Sequence, residues 1–188
     1  MNIPNYLTLS RIVIAFLCMA FTLWNNIFSL VTAFLLFILA SFTDFLDGFI
    51  ARRYNKVSDL GKLLDPIADK VLILGVFLAF LALGIINIWI VIIIMTREFI
   101  ITGVRLFAVN KGYILGARRF GKHKTASQMA GVVYIFAVLI LSKMFPESTI
   151  ISFLYDKGIP LLMWYIVIVT AFSGIHYLWV NRRIIKNF

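Results

Sequence analysis

Five of the eight acidic residues fall between positions 44 and 69: Asp44, Asp47, Asp59, Asp65 and Asp69. Asp44 and Asp47 interrupt one long apolar run, and Asp65 and Asp69 open the next. An ionisable side chain at the centre of a spanning helix costs about 2.5–3.5 kcal/mol on insertion scales, so carboxylates inside apolar segments point to function. Their spacing is i,i+3 in the first pair and i,i+4 in the second. On helices each pair shares one face, with Cβ atoms ~5–6 Å apart. Gly61 falls on the stripe of Asp65 and Asp69, and Gly48 and Ala51 lie beside the other pair. Small residues there let a second helix or a bulky ligand approach the backbone.

If the two segments pair antiparallel about a loop near Lys56, Asp44 lies level with Asp69 and Asp47 with Asp65. Both levels are ~10–12 Å or less from the loop at 1.5 Å per residue, the depth of lipid headgroups. Four carboxylates converging in a low-dielectric site repel and are driven to protonate. Divalent cations relieve this: hard oxygen ligands suit magnesium or manganese, and two ions ~3.5–4 Å apart can share them. Two metals at headgroup depth fit neutralisation of a pyrophosphate and an in-line phosphoryl-type displacement. A bland reading makes the aspartates snorkelling helix ends paired with Arg52, Arg53 and Lys62. It accounts for one carboxylate more readily than for four in register.

The elements that must hold these residues are helices in lipid. The chain has 188 residues, 62% of them hydrophobic and 14% charged, with a mean hydropathy of +1.00. Soluble domains carry about 45–50% apolar and ~25% charged residues. Apolar runs at 6–24, 29–50, 63–83, 86–108, 126–144 and 159–180 are each near the ~20 residues a span needs. The expected fold is an all-α integral membrane domain over 1–188, with six transmembrane helices. The connections at Asn25–Asn26 and Gly84–Asn87 carry no Lys or Arg, and that from Lys143 to Lys157 is nearly balanced. Arg52, Arg53, Lys56 and Lys62, then Lys111 to Lys124, then Arg182, Arg183 and Lys186 occupy the alternate loops. The positive-inside rule puts these loops and both termini in the cytoplasm. The net charge of +10 is thus a topology signal and gives no reason to expect nucleic acid as a partner. The first run has no basic segment before Arg11 and no small-residue cleavage pattern after Trp24, so it reads as a retained helix. A short interfacial helix over 150–156 is left open. Cys18, in an apolar run, reads as a packed residue.

From Asp44 to Asp69 the chain reads DFLDGFIARRYNKVSDLGKLLDPIAD. This resembles, at all eight fixed positions, the signature D-x2-D-G-x2-A-R-x8-G-x3-D-x3-D of the CDP-alcohol phosphotransferase family, whose members are similar in having six membrane helices and a cytoplasm-facing site. Pro4, Asn5, Leu7, Thr8 and Arg11 resemble the opening of the branch whose acceptor is glycerol 3-phosphate. So do Arg97, Glu98, Arg105, Gly112, Lys122 and Lys124-Thr125-Ala126. The resemblance implies phosphatidyl transfer from CDP-diacylglycerol in a bacterial cytoplasmic membrane, by a homodimer surrounded by membrane lipids. Asn5, Thr8, Asp47, Gly48, Ala51, Arg52 and Gly61 would bind the CDP-diacylglycerol. Asp44, Asp47, Asp65 and Asp69 would hold two divalent metals, Mg2+ or Mn2+. Asp69 would take the proton from the 1-hydroxyl of glycerol 3-phosphate, and CMP would leave.

An anionic acceptor needs fixed positive charge, and the stretch from Arg105 to Lys124 holds six cations and no acid. Arginine suits phosphate through its bidentate fork. Positive-inside topology and attraction to anionic lipid account better for Lys111, whereas the resemblance favours phosphate binding by Arg118 and Lys124. Arg97 and Glu98 lie deep in the fourth run, and two readings stay open. They form a structural lock, or Arg97 points into the headgroup cavity and meets the acceptor. Arg11 carries the same alternatives. His123 and His176 have no partner at zinc-ligand spacing. Another acceptor alcohol is the alternative within the family, and a divalent-cation transporter is the alternative outside it. The transporter requires a polar path through the outer halves of the helices, and none is visible in the sequence.

Overall fold

A computed structural model describes the backbone of residues 3–54, 59–111, 119–182 and 185, and the side chains of 9–43, 70–108, 111, 123–182 and 185. The described chain is helical and contains no strand. The order is α1 (Ile3–Trp24), α2 (Ile27–Tyr54), α3 (Asp59–Ala82), α4 (Ile88–Asn110), α5 (Arg119–Met144), α6 (Thr149–Phe153), a π-helical turn (Leu154–Gly158) and α7 (Ile159–Val180). Each of the six apolar runs lies in one long helix. The helices outrun the apolar stretches at the charged end: α2 continues to Tyr54, and α5 begins at Arg119, seven positions before Ala126. Apolar periodicity marks where a helix is buried, and backbone hydrogen bonding carries it further.

Two segments among the described residues are long and apolar enough to cross a membrane, His123–Met144 and Thr149–Val180. Leu9–Trp24, Ile27–Thr43 and Lys70–Ala82 are shorter apolar helices. The outer surface is apolar as well. Phe28 is 84% exposed and Leu161 77%, together with Trp24, Ile150, Ile168 and Ile175. Soluble monomers rarely present contiguous apolar surface on this scale, so the bundle is that of a membrane protein.

The turns opposite the charged end follow from local chemistry. Asn25 takes a left-handed conformation at φ 48°. Asn26 caps α2, its Oδ1 accepting from Ser29 N at 2.8 Å, while Ser29 Oγ accepts from Asn26 N at 3.1 Å. Gly84, at φ 71°, ends α3 in a Schellman arrangement, with Gly84 N donating to Leu81 O and Ile85 N to Phe80 O, both at 2.9 Å. Asn87 Oδ1 then accepts from Trp89 N at 2.9 Å and starts α4. The possible helix at 150–156 is α6 with its π-helical turn, which runs directly into α7.

Among the described residues, α1 lies against both α2 and α3, which touch each other only marginally. α7 packs on α4 and α5, and α2 on α5. The two groups meet at Phe136, which is fully buried. Its ring centroid is 5.1 Å from Phe80, 5.8 Å from Phe34 and 6.3 Å from Phe37. Cys18 is buried in the same core, its thiol donating to Ala33 O at 3.3 Å, as expected of a packed residue. Phe136→Ala should therefore cost about 3–5 kcal/mol, measured as a lowered unfolding midpoint in detergent, whereas Leu161→Ala on the outer surface should leave the midpoint nearly unchanged.

Candidate active site

The described candidate residues lie on the long helices α1 to α5. The turns at Asn25, Leu83–Ile85 and Phe145–Tyr155 line a single cavity of about 470 Å3, so the opposite ends of the same helices lie together. Those are the start of α1, the end of α2, the start of α3, the end of α4, the start of α5 and the end of α7. Asp44, Asp47, Gly48, Ala51 and Arg52 lie on helical backbone in α2, and Gly61, Asp65 and Asp69 on helical backbone in α3. A helical backbone is what the one-face reading of i,i+3 and i,i+4 requires. The side chains of these residues, and those of Asn5 and Thr8 on α1, are outside the described ones, and Arg118 is outside the described residues altogether. Among the described residues no group of three or more His, Cys, Asp or Glu gathers to hold a metal. The four-aspartate set therefore stands on sequence and backbone.

The described side chains form a cluster of their own between α3, α4, α5 and α7. Glu98 of α4 is buried, and its Oε1 receives both Lys124 Nζ of α5 and Arg97 Nη1, the latter at 3.2 Å. The three side chains are 8%, 8% and 12% exposed for Glu98, Lys124 and Arg97. Arg97 Nη2 donates to Ser173 Oγ of α7 at 3.0 Å. Lys70 of α3 reaches the Glu98 carbonyl oxygen at 3.5 Å. Gln128, one turn beyond Lys124, donates to Thr170 Oγ1 at 3.5 Å. Arg105 lies over the Tyr177 ring, 5.9 Å from its centroid. A cavity of about 20 Å3 between Lys70, Glu98, Lys124, Thr125 and Gln128 is on the scale of one water molecule.

Arg97 and Glu98 pair with each other, and the contact extends to α5 through Lys124 and to α7 through Ser173. Arg11 is 1% exposed, a buried residue of α1. Lys70, Gln128, Thr170 and Ser173 went unnoticed in the sequence. A weak signal was present: Lys124 and Gln128 are i,i+4, and Thr170, Ser173 and Tyr177 follow i,i+3,i+7, so each set marks a polar stripe on an otherwise apolar helix.

The arrangement is thus a cation-rich cluster with a buried carboxylate at its centre, formed by α3, α4, α5 and α7. A family model described as CDP-alcohol phosphatidyltransferase matches residues 1–172. The chain belongs to the CDP-alcohol phosphatidyltransferase family. The match to this transferase family spans every candidate residue from Asn5 to Lys124. A relative from Bacillus subtilis named CDP-diacylglycerol–glycerol-3-phosphate 3-phosphatidyltransferase is 32% identical over 198 residues, covering 99% of this chain and 98% of its own. Another of the same name from Rickettsia felis is 37% identical over 177 residues, covering 94% and 93%. A third, from Treponema pallidum, is 38% identical over 104 residues, covering 55% and 48%.

Gly174 is the residue that lets the Arg97 contacts form. A Cβ placed there would lie 2.8 Å from Arg97 Cγ and 3.3 Å from its Nε, so the arginine stem crosses the α7 backbone where no side chain intervenes. Gly174→Val should push Arg97 from Ser173 and Glu98 and cost about 1–3 kcal/mol, seen as a lowered unfolding midpoint in detergent. Gly103→Ala, where an added Cβ meets nothing within 4 Å, is the neutral comparison.

Proposed function

We propose that this membrane transferase moves the phosphatidyl group of CDP-diacylglycerol to glycerol 3-phosphate, giving phosphatidylglycerophosphate and CMP in phospholipid biosynthesis. The observation that carries the reading is the eight-position signature from Asp44 to Asp69, on helical backbone at one end of the bundle, in a chain matched by the family model over residues 1–172. The curated relatives with this activity in their names cover nearly the whole chain, which supports glycerol 3-phosphate as the acceptor.

In this reading the protein is one domain with six spans, both termini and the site facing the cytoplasm of a bacterial inner membrane, and it works as a homodimer. The distribution of Lys and Arg over alternate connections supports the orientation. Asp47, Gly48, Ala51, Arg52 and Gly61, with Asn5 and Thr8 of α1, receive the nucleotide end of CDP-diacylglycerol, small residues leaving room along the backbone. Asp44, Asp47, Asp65 and Asp69 offer hard oxygen donors and no sulfur or nitrogen, a set that fits magnesium or manganese. Two such ions would offset the charge of the pyrophosphate when bound.

Asp69 accepts the proton of the glycerol 3-phosphate 1-hydroxyl. The oxygen attacks the lipid-side phosphorus, and the bond from that phosphorus to the CMP oxygen breaks. A carboxylate with a reference pKa near ~3.9 is a weak base for an alcohol, so a close hydrogen-bonded approach is needed. The acceptor phosphate meets Arg11 of α1, Arg97 of α4 and Lys124 of α5, together with Arg118, which precedes α5 in the sequence. Anion binding by such groups is charge-assisted and strongest where water is excluded.

The test is purified protein in detergent with CDP-diacylglycerol, labelled glycerol 3-phosphate and magnesium or manganese, following CMP and lipid label. Transfer should require the metal and stop with chelator. Asp69→Asn should lower kcat by roughly 10²–10⁴. CMP release with a different alcohol and none with glycerol 3-phosphate would overturn the acceptor, and full activity in Asp69→Asn would overturn the base.

A further inference from the structure

We infer that Glu98 is a positioning residue for the acceptor phosphate, fixing the ammonium of Lys124 and the guanidinium of Arg97 on one carboxylate oxygen. The inference rests on the acceptor reading above. Among the described side chains the acids are Glu98, Glu147 and Asp156, and the latter two belong to the opposite end, near the turn that holds Phe145 and Tyr155. Glu98 is therefore the carboxylate that the described structure sets among the cations, and the transfer chemistry makes no use of it.

A lysine is a point charge on a flexible four-carbon stem, with many rotamers available. At a bilayer surface rich in phosphate such a side chain has many competing partners. Glu98 removes that freedom, because its Oε1 binds Lys124 Nζ in a setting where both side chains are 8% exposed. An ammonium carries three donors, so a bond to Oε1 does not by itself prevent a phosphate oxygen from being a second acceptor. Arg97 on the same oxygen, at 3.2 Å, is held from its far side by Ser173 at 3.0 Å. The same turn of α4 also receives Lys70 on its backbone carbonyl, at 3.5 Å. Lys70 directly follows Asp69 in α3, so one helical turn sets α5 and α7 against the stretch of α3 that carries the base.

The experiment compares Glu98→Gln, which keeps volume and removes charge, with Glu98→Asp, which keeps charge and shortens the arm. Steady-state kinetics are run with each substrate varied, and unfolding midpoints in detergent are measured for both variants. In Glu98→Gln the KM for glycerol 3-phosphate should rise about tenfold, with the KM for CDP-diacylglycerol within about twofold of wild type, the pattern of a lost contact to one substrate. Glu98→Asp should fall between, and it carries the test if Glu98→Gln does not fold. A merely structural role would lower the amount of active protein and leave both KM values unchanged. Unchanged KM for glycerol 3-phosphate in the folded Glu98 variants, alongside a raised one in Lys124→Ala, would overturn the positioning role while leaving the acceptor reading intact. Unchanged KM for glycerol 3-phosphate in Lys124→Ala as well would overturn this inference together with the assignment of Lys124 to the acceptor phosphate, whereas no transfer to glycerol 3-phosphate by the wild-type protein would overturn the acceptor reading itself.

Discussion

A charge removed from water needs an opposite charge within reach, and the arrangement of this bundle answers to that requirement. Breaking a buried pair by deleting one partner typically costs 3–5 kcal/mol, because the survivor stays buried and uncompensated. Glu98 in α4 could not sit where it does without Lys124 of α5, and Arg97 could not lie beside it without Ser173 and the open backbone of Gly174. The helices are therefore held in register at the charged end by directional contacts. In the rest of the bundle they are held by shape, with Phe136 against Phe34, Phe37 and Phe80. In lipid the second kind of contact gains little from the hydrophobic effect between helices, so polar links carry more of the specificity.

Much of the architecture was legible in the sequence because it obeys local rules. Six apolar runs gave six long helices, and the residues that cap and reverse them, Asn25, Asn26, Gly84 and Asn87, stand where the runs stop. The signature is local too, since i,i+3 and i,i+4 spacing acquires meaning as soon as the backbone is helical. What could not be read was partner choice across the bundle. Lys124 is 26 positions from Glu98 and Ser173 is 76 from Arg97, and nothing in the spacing of either pair selects the other. The same limit applies to α1, whose place as the shared neighbour of α2 and α3 among the described residues follows from no spacing in the sequence.

The placement of α1 bears on how a transfer site could be assembled. A helix lodged beside both aspartate-bearing helices keeps their described upper portions apart. Arg11 is buried on α1. The cations Lys70, Arg97 and Lys124 of α3, α4 and α5 gather around Glu98, while the described acids Glu147 and Asp156 belong to the turn at the other end.

That segregation suits a reaction between two anions. CDP-diacylglycerol and glycerol 3-phosphate both carry phosphate charge, and bringing them together in a low-dielectric cleft is opposed by their repulsion, which grows as water is excluded. Carboxylates cannot lower that barrier unaided; in the proposed reading they would hold divalent cations against one anion, and fixed side-chain cations would serve the other. Such cations help most when already held in place, because donors that need not reorganise during the reaction stabilise developing charge at no further cost. A buried carboxylate behind the cations gives that rigidity. It also lowers their net charge, so affinity for phosphate is traded for precision of placement. An enzyme that must release an anionic product into an anionic membrane gains from that trade, since tighter electrostatic binding would slow departure as much as it hastened arrival.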